Sequence, residues 1–95
     1  MFLHVIRVEH LMDYKLKLTF DNWIVKEVDL RAELYGTIFE PLKDIGFFKQ
    51  VTINPNTNTI EWPNGADFAP EFLYEIGEPR DKEIEASGFR TKTLV

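Results

Sequence analysis

Apolar and polar residues alternate most regularly between Tyr14 and Phe20. Every second residue of this stretch is a large apolar one, and Lys15, Lys17 and Thr19 occupy the positions between them. Such a period of two predicts a β-strand with one face on the core and the other in water. A strand with one wet face is typical of an antiparallel sheet.

The flanking segments predict partner strands. Residues 2–10 alternate imperfectly and indicate a strand covered on both sides in its first half. Asp21-Asn22 suits a two-residue hairpin loop with a primed turn, after which residues 23–30 return beside the second strand. The apolar residues change face within this returning strand, so a β-bulge near Lys26-Glu27 is predicted.

The middle of the chain predicts shorter elements. Residues 31–35 favour one or two helical turns, and residues 37–39 favour an extended segment because a proline follows closely. Residues 41–45 indicate another helical turn. Residues 47–53 predict a fourth strand, and residues 59–62 close a hairpin with it.

A turn and a short helix are predicted between residues 62 and 77. The Pro-Asn-Gly run at 63–65 combines residue types that favour a reverse turn. Asp67 is expected to accept backbone N–H bonds at the start of the helix, and Pro70 suits its first turn. Gly77 is expected to end it.

These elements predict an α+β fold. It consists of an antiparallel β-sheet of about five strands with short helices, one of which follows the Trp-Pro-Asn-Gly turn. A single domain over residues 1–77 is expected to precede a charged C-terminal tail over 78–95, in which Asp81 would begin a short helix.

Composition narrows the possible functions. The chain of 95 residues has a net charge of −5, and negative charge disfavours binding to nucleic acid. It has no cysteine, which excludes disulfides and thiolate chemistry and agrees with a cytoplasmic location. The sequence has neither a signal-peptide pattern nor an apolar run of roughly 20 residues, so no membrane association is expected.

The polar residues do not suggest a catalytic or cofactor site. Ser87 is the only serine and lies in the predicted tail. His4 and His10 would be about 20 Å apart along an extended strand, too far to ligate one ion. We therefore expect no catalytic residues, no metal and no cofactor, and the protein is not expected to be an enzyme.

The best candidate binding corner consists of Trp62, Asn64, Asp67 and Glu71. Two carboxylates four residues apart at a helix start share one side of it, and with the indole they would form a small polar pocket or a cation-binding notch. In the alternative interpretation each residue has a structural role. Asp67 then caps the helix, Asn64 makes the turn and Trp62 fills the core.

Aromatic residues are concentrated in the middle of the chain, at Tyr35, Phe39, Phe47 and Phe48. Most are expected in the core. Because adjacent strand residues point to opposite faces, one of Phe47 and Phe48 is expected at the surface.

The run from Trp62 to Asp67, followed by Ala69-Pro70-Glu71 and Leu73-Tyr74, resembles the closing signature of a small bacterial family, domain of unknown function 2442. The resemblance covers roughly residues 2–76. It implies no established activity, but such domains look like companions of another small protein in toxin–antitoxin-like gene pairs. Some relatives carry a C-terminal helix-turn-helix. This chain ends at Val95, so DNA binding is not expected of it.

Two hypotheses follow. The first is a non-enzymatic protein-interaction domain that acts as an acidic partner of a small basic protein in a toxin–antitoxin-like pair. The alternative is a small-molecule or metal-binding domain that uses the Asp67/Glu71 corner. A homodimer formed by pairing of sheet edges or by exchange of the tail is compatible with both.

Overall fold

The computed structural model describes residues 3–79. Within this range six strands form two antiparallel sheets, accompanied by two short α-helices and two 3-10 helices. The α+β class is confirmed, and the strands are divided between the two sheets.

The first sheet has four strands, in the spatial order β1 (Val5–Met12), β2 (Lys15–Phe20), β3 (Val25–Asp29) and β6 (Glu78–Pro79). The second sheet is the hairpin of β4 (Thr52–Asn54) and β5 (Thr59–Glu61). A hydrogen bond of 2.9 Å from the Val5 N–H to the Asn58 carbonyl connects β1 to the β4–β5 turn.

Helical segments connect and cover the sheets. The 3-10 helices are Arg31–Glu33 and Thr37–Lys43, and the α-helices are α1 (Ile45–Phe48) and α2 (Pro70–Ile76). The short length of each segment means that packing, and not helix propensity, holds them in place.

The core lies against the inner face of the first sheet. Leu16, Leu18 and Phe20 of β2 are fully buried, as the alternating pattern predicts. The other buried apolar residues come from both sheets and from the connections between them: Val5, Val28, Leu30, Leu34, Leu42, Phe48, Ile60, Trp62, Ala66 and Leu73.

The predicted bulge in the third strand is wrong. β2 and β3 pair without interruption from Lys15–Asp29 to Thr19–Val25. The irregularities lie in β1 instead, where the register shifts between Val5 and Arg7 and between His10 and Met12.

Lys26 explains the misleading pattern in β3. It lies opposite Leu18 on the inner face, where a charged residue is unusual. Its ammonium group donates a hydrogen bond of 2.6 Å to the Tyr74 carbonyl in the last turn of α2, and it lies 3.7 Å from the centre of the Tyr74 ring. A cation at a helix C-terminus stabilises the helix dipole, so this contact fixes α2 on the sheet.

The loop between β2 and β3 also differs from the prediction. It is longer than two residues, because the Trp23 N–H bonds to the Phe20 carbonyl and the Phe20 N–H bonds to the Ile24 carbonyl. Trp23, not Asn22, has the positive φ, at 68°. The Asn22 side chain accepts a hydrogen bond of 3.0 Å from the Ile24 N–H. The loop therefore resembles a type I turn followed by one residue in the left-handed conformation. Trp23 is that residue, and glycine normally occupies this position.

Trp23→Gly is expected to raise the free energy of unfolding by about 0.5–1 kcal/mol. A left-handed backbone costs a residue other than glycine roughly 1–2 kcal/mol, and the added freedom of glycine in the unfolded chain offsets part of that gain. Little packing is lost, because the Trp23 side chain is 77% exposed. Urea unfolding followed by circular dichroism measures the difference. Trp23→Ala is the control, since alanine keeps the backbone strain and should give no gain; equal gains from both variants would contradict this explanation.

The middle of the chain is more helical than predicted. Residues 37–39 belong to a 3-10 helix, and Phe47 and Phe48, the first two residues of the predicted fourth strand, belong to α1. The Asp44 carboxylate accepts a hydrogen bond of 3.1 Å from the Phe47 N–H and thereby caps α1. Neither Phe47 nor Phe48 is exposed: Phe48 is fully buried, and Phe47 is half-buried against the core.

The boundary at residue 77 stays a prediction. Glu78–Pro79 pair with β3, and the remainder of the predicted tail, including its helix after Asp81, lies outside the described residues. Among residues 3–79, no helix has the length and apolar character needed to span a bilayer.

Candidate functional site

The turn after β5 brings two distant parts of the chain together. Its backbone closes through hydrogen bonds of 2.9 Å from Gly65 to Trp62 and from Trp62 to Ala66. Gly65 has a φ of 89°, which glycine adopts without strain. The Asn64 side chain accepts from the Ala66 N–H at 3.2 Å and donates to the Ile38 carbonyl at 2.9 Å. Asn64 therefore ties this turn to the second 3-10 helix.

Trp62 belongs to the core. Its ring is 2% exposed, and Nε1 donates a hydrogen bond of 2.8 Å to the Phe48 carbonyl. The ring packs against Phe48 and Phe68 at centroid distances of 5.5 and 6.0 Å. The structure thus does not place the indole at the surface beside the two carboxylates.

Asp67 does not cap α2, so that prediction is wrong. The backbone of Asp67 pairs with Glu61 in an isolated bridge, which holds it in extended conformation before the helix. The residue at the N-cap position is Ala69, and Pro70 follows at the first helical position. Within the described part of the chain, the exposed Asp67 carboxylate has no hydrogen bond or ion pair.

Glu71 lies in the first turn of α2 and is exposed. Its negative charge there complements the helix dipole. It does not line the surface groove that Asp67 lines. Of the four predicted corner residues, Asp67 is the one that lines this groove.

An aromatic groove of about 310 Å³ lies between the first 3-10 helix, the second 3-10 helix and the start of α2. Its lining residues are Glu33, Tyr35, Phe39, Asp67, Phe68, Ala69 and Phe72. Phe39 stacks on Phe68 at 4.8 Å, and Phe68 stacks on Phe72 at 5.8 Å. The Tyr35 side chain is 71% exposed. These rings give the groove an apolar floor with an open aromatic rim.

Two carboxylates give the aromatic groove a negative charge. Its lining contains Glu33 and Asp67 and, among the described residues, no Lys, Arg or His. The nearest basic side chains along the chain are engaged elsewhere. Arg31 is 3.7 Å from the Asp13 carboxylate and faces the Tyr14 ring, and Lys43 is 3.1 Å from Glu40.

Sequence reasoning missed most of this groove. The sequence marks Tyr35 and Phe39 only as members of an aromatic-rich middle, most of which is expected in the core. Phe68 and Phe72 lie about thirty residues later. The two regions meet only in the folded chain, through the Asn64 bond to Ile38 and the stacking of Phe39 on Phe68. The available signal was an excess of phenylalanine for a thin sheet.

The residues present do not form a conventional metal centre. In the range 3–79, no three His, Asp or Glu side chains lie close enough together to hold one ion. The aromatic groove instead combines apolar surface with separate charges, a combination that suits recognition of an amphipathic group.

Comparison with known families gives one match. A family model described as "Protein of unknown function (DUF2442)" matches residues 5–79. The comparisons with curated proteins and with solved structures returned no match. The match confirms the resemblance carried by the Trp-Pro-Asn-Gly segment and covers almost the whole described range.

Proposed function

The chain belongs to the DUF2442 family of proteins of unknown function, and on that premise we propose that it is a non-enzymatic protein-interaction domain. It acts in the cytoplasm as the acidic partner of a small basic protein, in the manner of a toxin–antitoxin-like pair. The aromatic groove is its contact surface.

The observation that supports this proposal is the combination of exposed aromatic surface with carboxylates that folding does not use. Tyr35 is the most exposed ring in the aromatic groove, and tyrosine is among the residues that carry most binding energy at protein interfaces. Aromatic side chains bordered by polar groups are enriched at protein–protein interfaces. The net charge of −5 favours encounter with a basic partner.

A small cationic molecule is the second candidate for the same surface. It is favoured by the Asp67 carboxylate, which lines the aromatic groove without a partner in residues 3–79. The volume of about 310 Å³ is at the lower end of the roughly 300–1,000 Å³ typical of ligand pockets. A protein side chain therefore suits the space better than a cofactor-sized molecule.

Site-specific photo-crosslinking tests the proposed function. A photoreactive phenylalanine analogue in place of Tyr35 is expected to crosslink to a small basic protein in the cells that produce this chain, because the ring lies at the rim of the contact surface. Mass spectrometry of the crosslinked species identifies the partner. We expect the yield to fall when Asp67→Asn is added, since the negative charge is then lost.

The same analogue in place of Trp23 is the control. Trp23 is equally exposed but does not line the aromatic groove, so it should not crosslink to the same protein. Glu71→Gln removes a neighbouring charge outside the aromatic groove and should leave the yield from position 35 unchanged. If position 35 crosslinks to no protein, or if both positions crosslink to the same set, the proposed function is wrong.

A further inference from the structure

We propose that the aromatic groove receives an arginine side chain of the partner protein, with the aliphatic stem on the rings and the guanidinium at the carboxylates. This inference rests on the proposed function and specifies what the partner inserts. Its basis is the arrangement of apolar, charged and unpaired groups around one small space.

The floor of the aromatic groove suits an aliphatic stem. Phe39, Phe68 and Phe72 are half-buried and stacked in a row, with interplanar angles of 24° and 19°. Stacked rings are rigid and have no polar atom to satisfy. A chain of methylene groups laid against them buries apolar surface on both sides, as long basic side chains commonly do.

The rim suits a positive head group. Glu33 and Asp67 lie in the lining, and neither side-chain carboxylate has a hydrogen bond or ion pair within residues 3–79. The basic residues nearest along the chain, Arg31 and Lys43, face Asp13 and Glu40. The negative charge is therefore available to a cation from outside.

Arginine fits better than lysine. A guanidinium is planar, stacks on an aromatic face and bonds a carboxylate through two parallel N–H groups, whereas an ammonium is a compact and strongly hydrated charge. The exposed Tyr35 ring offers an aromatic face at the rim. The groove volume of about 310 Å³ admits one long side chain and little else.

Titration of the full-length ¹⁵N-labelled protein with short blocked peptides tests this inference. The probes are Gly-Arg-Gly, Gly-Lys-Gly and Gly-citrulline-Gly, each acetylated and amidated, so that they differ only in the central side chain. The arginine peptide is expected to give saturable amide shifts at Tyr35 and Asp67. The lysine peptide should bind more weakly, and the uncharged citrulline peptide should give no saturable shift.

Charge variants sharpen the test. Asp67→Asn and Glu33→Gln should each weaken arginine-peptide binding by about fivefold, the effect of one partly exposed ion pair. Glu71→Gln, which lies outside the aromatic groove, should not change it. Rescue by the conservative variant Asp67→Glu would show that charge, and not shape alone, is recognised.

The outcomes separate this inference from the proposed function. If the citrulline and arginine peptides bind equally, or if the partner peptide crosslinked at position 35 contains no arginine, the inference is wrong and the proposed function stands. A crosslink from position 35 to residues 80–95 of the same chain, or to a second copy, also overturns the inference. If no protein crosslinks at all, the proposed function fails, whatever the peptides show.

Discussion

Trp62→Ala is expected to lower the free energy of unfolding by about 3–5 kcal/mol, the usual cost of removing a large buried aromatic side chain. The ring is almost fully buried and contacts both Phe48 and Phe68. It therefore joins α1 to the residues that form the floor of the aromatic groove. Because the free energy of unfolding of a typical domain is about 5–15 kcal/mol, this single substitution should remove much of the stability of the protein. Urea unfolding monitored by circular dichroism measures it.

Trp62→Phe separates packing from hydrogen bonding. It retains an aromatic ring but removes the Nε1 donor, which lies 2.8 Å from the Phe48 carbonyl. A buried carbonyl that loses its donor costs about 1–3 kcal/mol, so this variant should lie between wild type and Trp62→Ala. Trp23→Ala is the matched control, since the same residue type is exposed there and its truncation should change stability little. A loss of less than about 1 kcal/mol in Trp62→Ala would contradict the central position assigned to this ring.

Gly77→Ala is expected to lower the free energy of unfolding by about 1–3 kcal/mol, the typical cost of adding a methyl group to a space that is already filled. A Cβ atom at Gly77 would lie 2.9 Å from the Cβ of Lys26 and 3.1 Å from the Leu73 carbonyl oxygen. The first of these distances is too short for two carbon atoms. Relief requires α2 to move away from β3, which would also disturb the Lys26 bond to Tyr74.

Gly46→Ala provides the comparison for Gly77. A Cβ there would have only the Asp44 carboxylate at 3.4 Å, an ordinary contact, and alanine favours the helix in which Gly46 lies. Stability should be unchanged or slightly higher. Differential scanning calorimetry measures both variants, with a shift of about 4–8 °C expected for each kcal/mol in a domain of this size. If Gly77→Ala melts with the wild type, the close approach of α2 to β3 is not a constraint.

The sequence correctly predicts that α2 ends at Gly77, but helix termination is only part of the reason for glycine at this position. Gly77 does end the helix, but its φ is −77°, a value that any residue adopts. The structure favours glycine here for another reason, because a Cβ atom at this position would lie 2.9 Å from the Cβ of Lys26. In a sequence, glycine after a helical pattern indicates the end of the helix. The sequence does not show that Lys26, 51 residues earlier, lies against Gly77.

Local patterns predicted the parts of the fold that depend on local chemistry. The period of two in β2 identifies its buried face, and residues 59–61 pair in a hairpin with the strand before them as predicted. The prediction failed where tertiary packing changes the meaning of a residue. Lys26 lies on the core side of β3 because its ammonium group contacts the Tyr74 carbonyl and ring in α2. The charged residue on this face looks like a change of register in the sequence, but β3 contains no bulge.

The candidate site was predicted only in part, for a related reason. Asp67 was selected with Trp62 and Glu71 because they are close in sequence. The aromatic groove contains Asp67 but joins it to Glu33, Tyr35 and Phe39. These residues are far apart in the sequence, and they become neighbours because the Asn64 bond to the Ile38 carbonyl and the Phe39–Phe68 stacking hold the two segments together.

The two irregularities in β1 have a consequence for how copies of this chain behave when concentrated. β1 is an outer strand of the four-stranded sheet, and outer strands with a straight ladder of free amides promote aggregation. The register shifts near Ile6 and Leu11 break that ladder at both ends, and the Asn58 carbonyl occupies the Val5 amide. We therefore expect the irregular edge of β1 to resist pairing with further copies of the chain into fibrils.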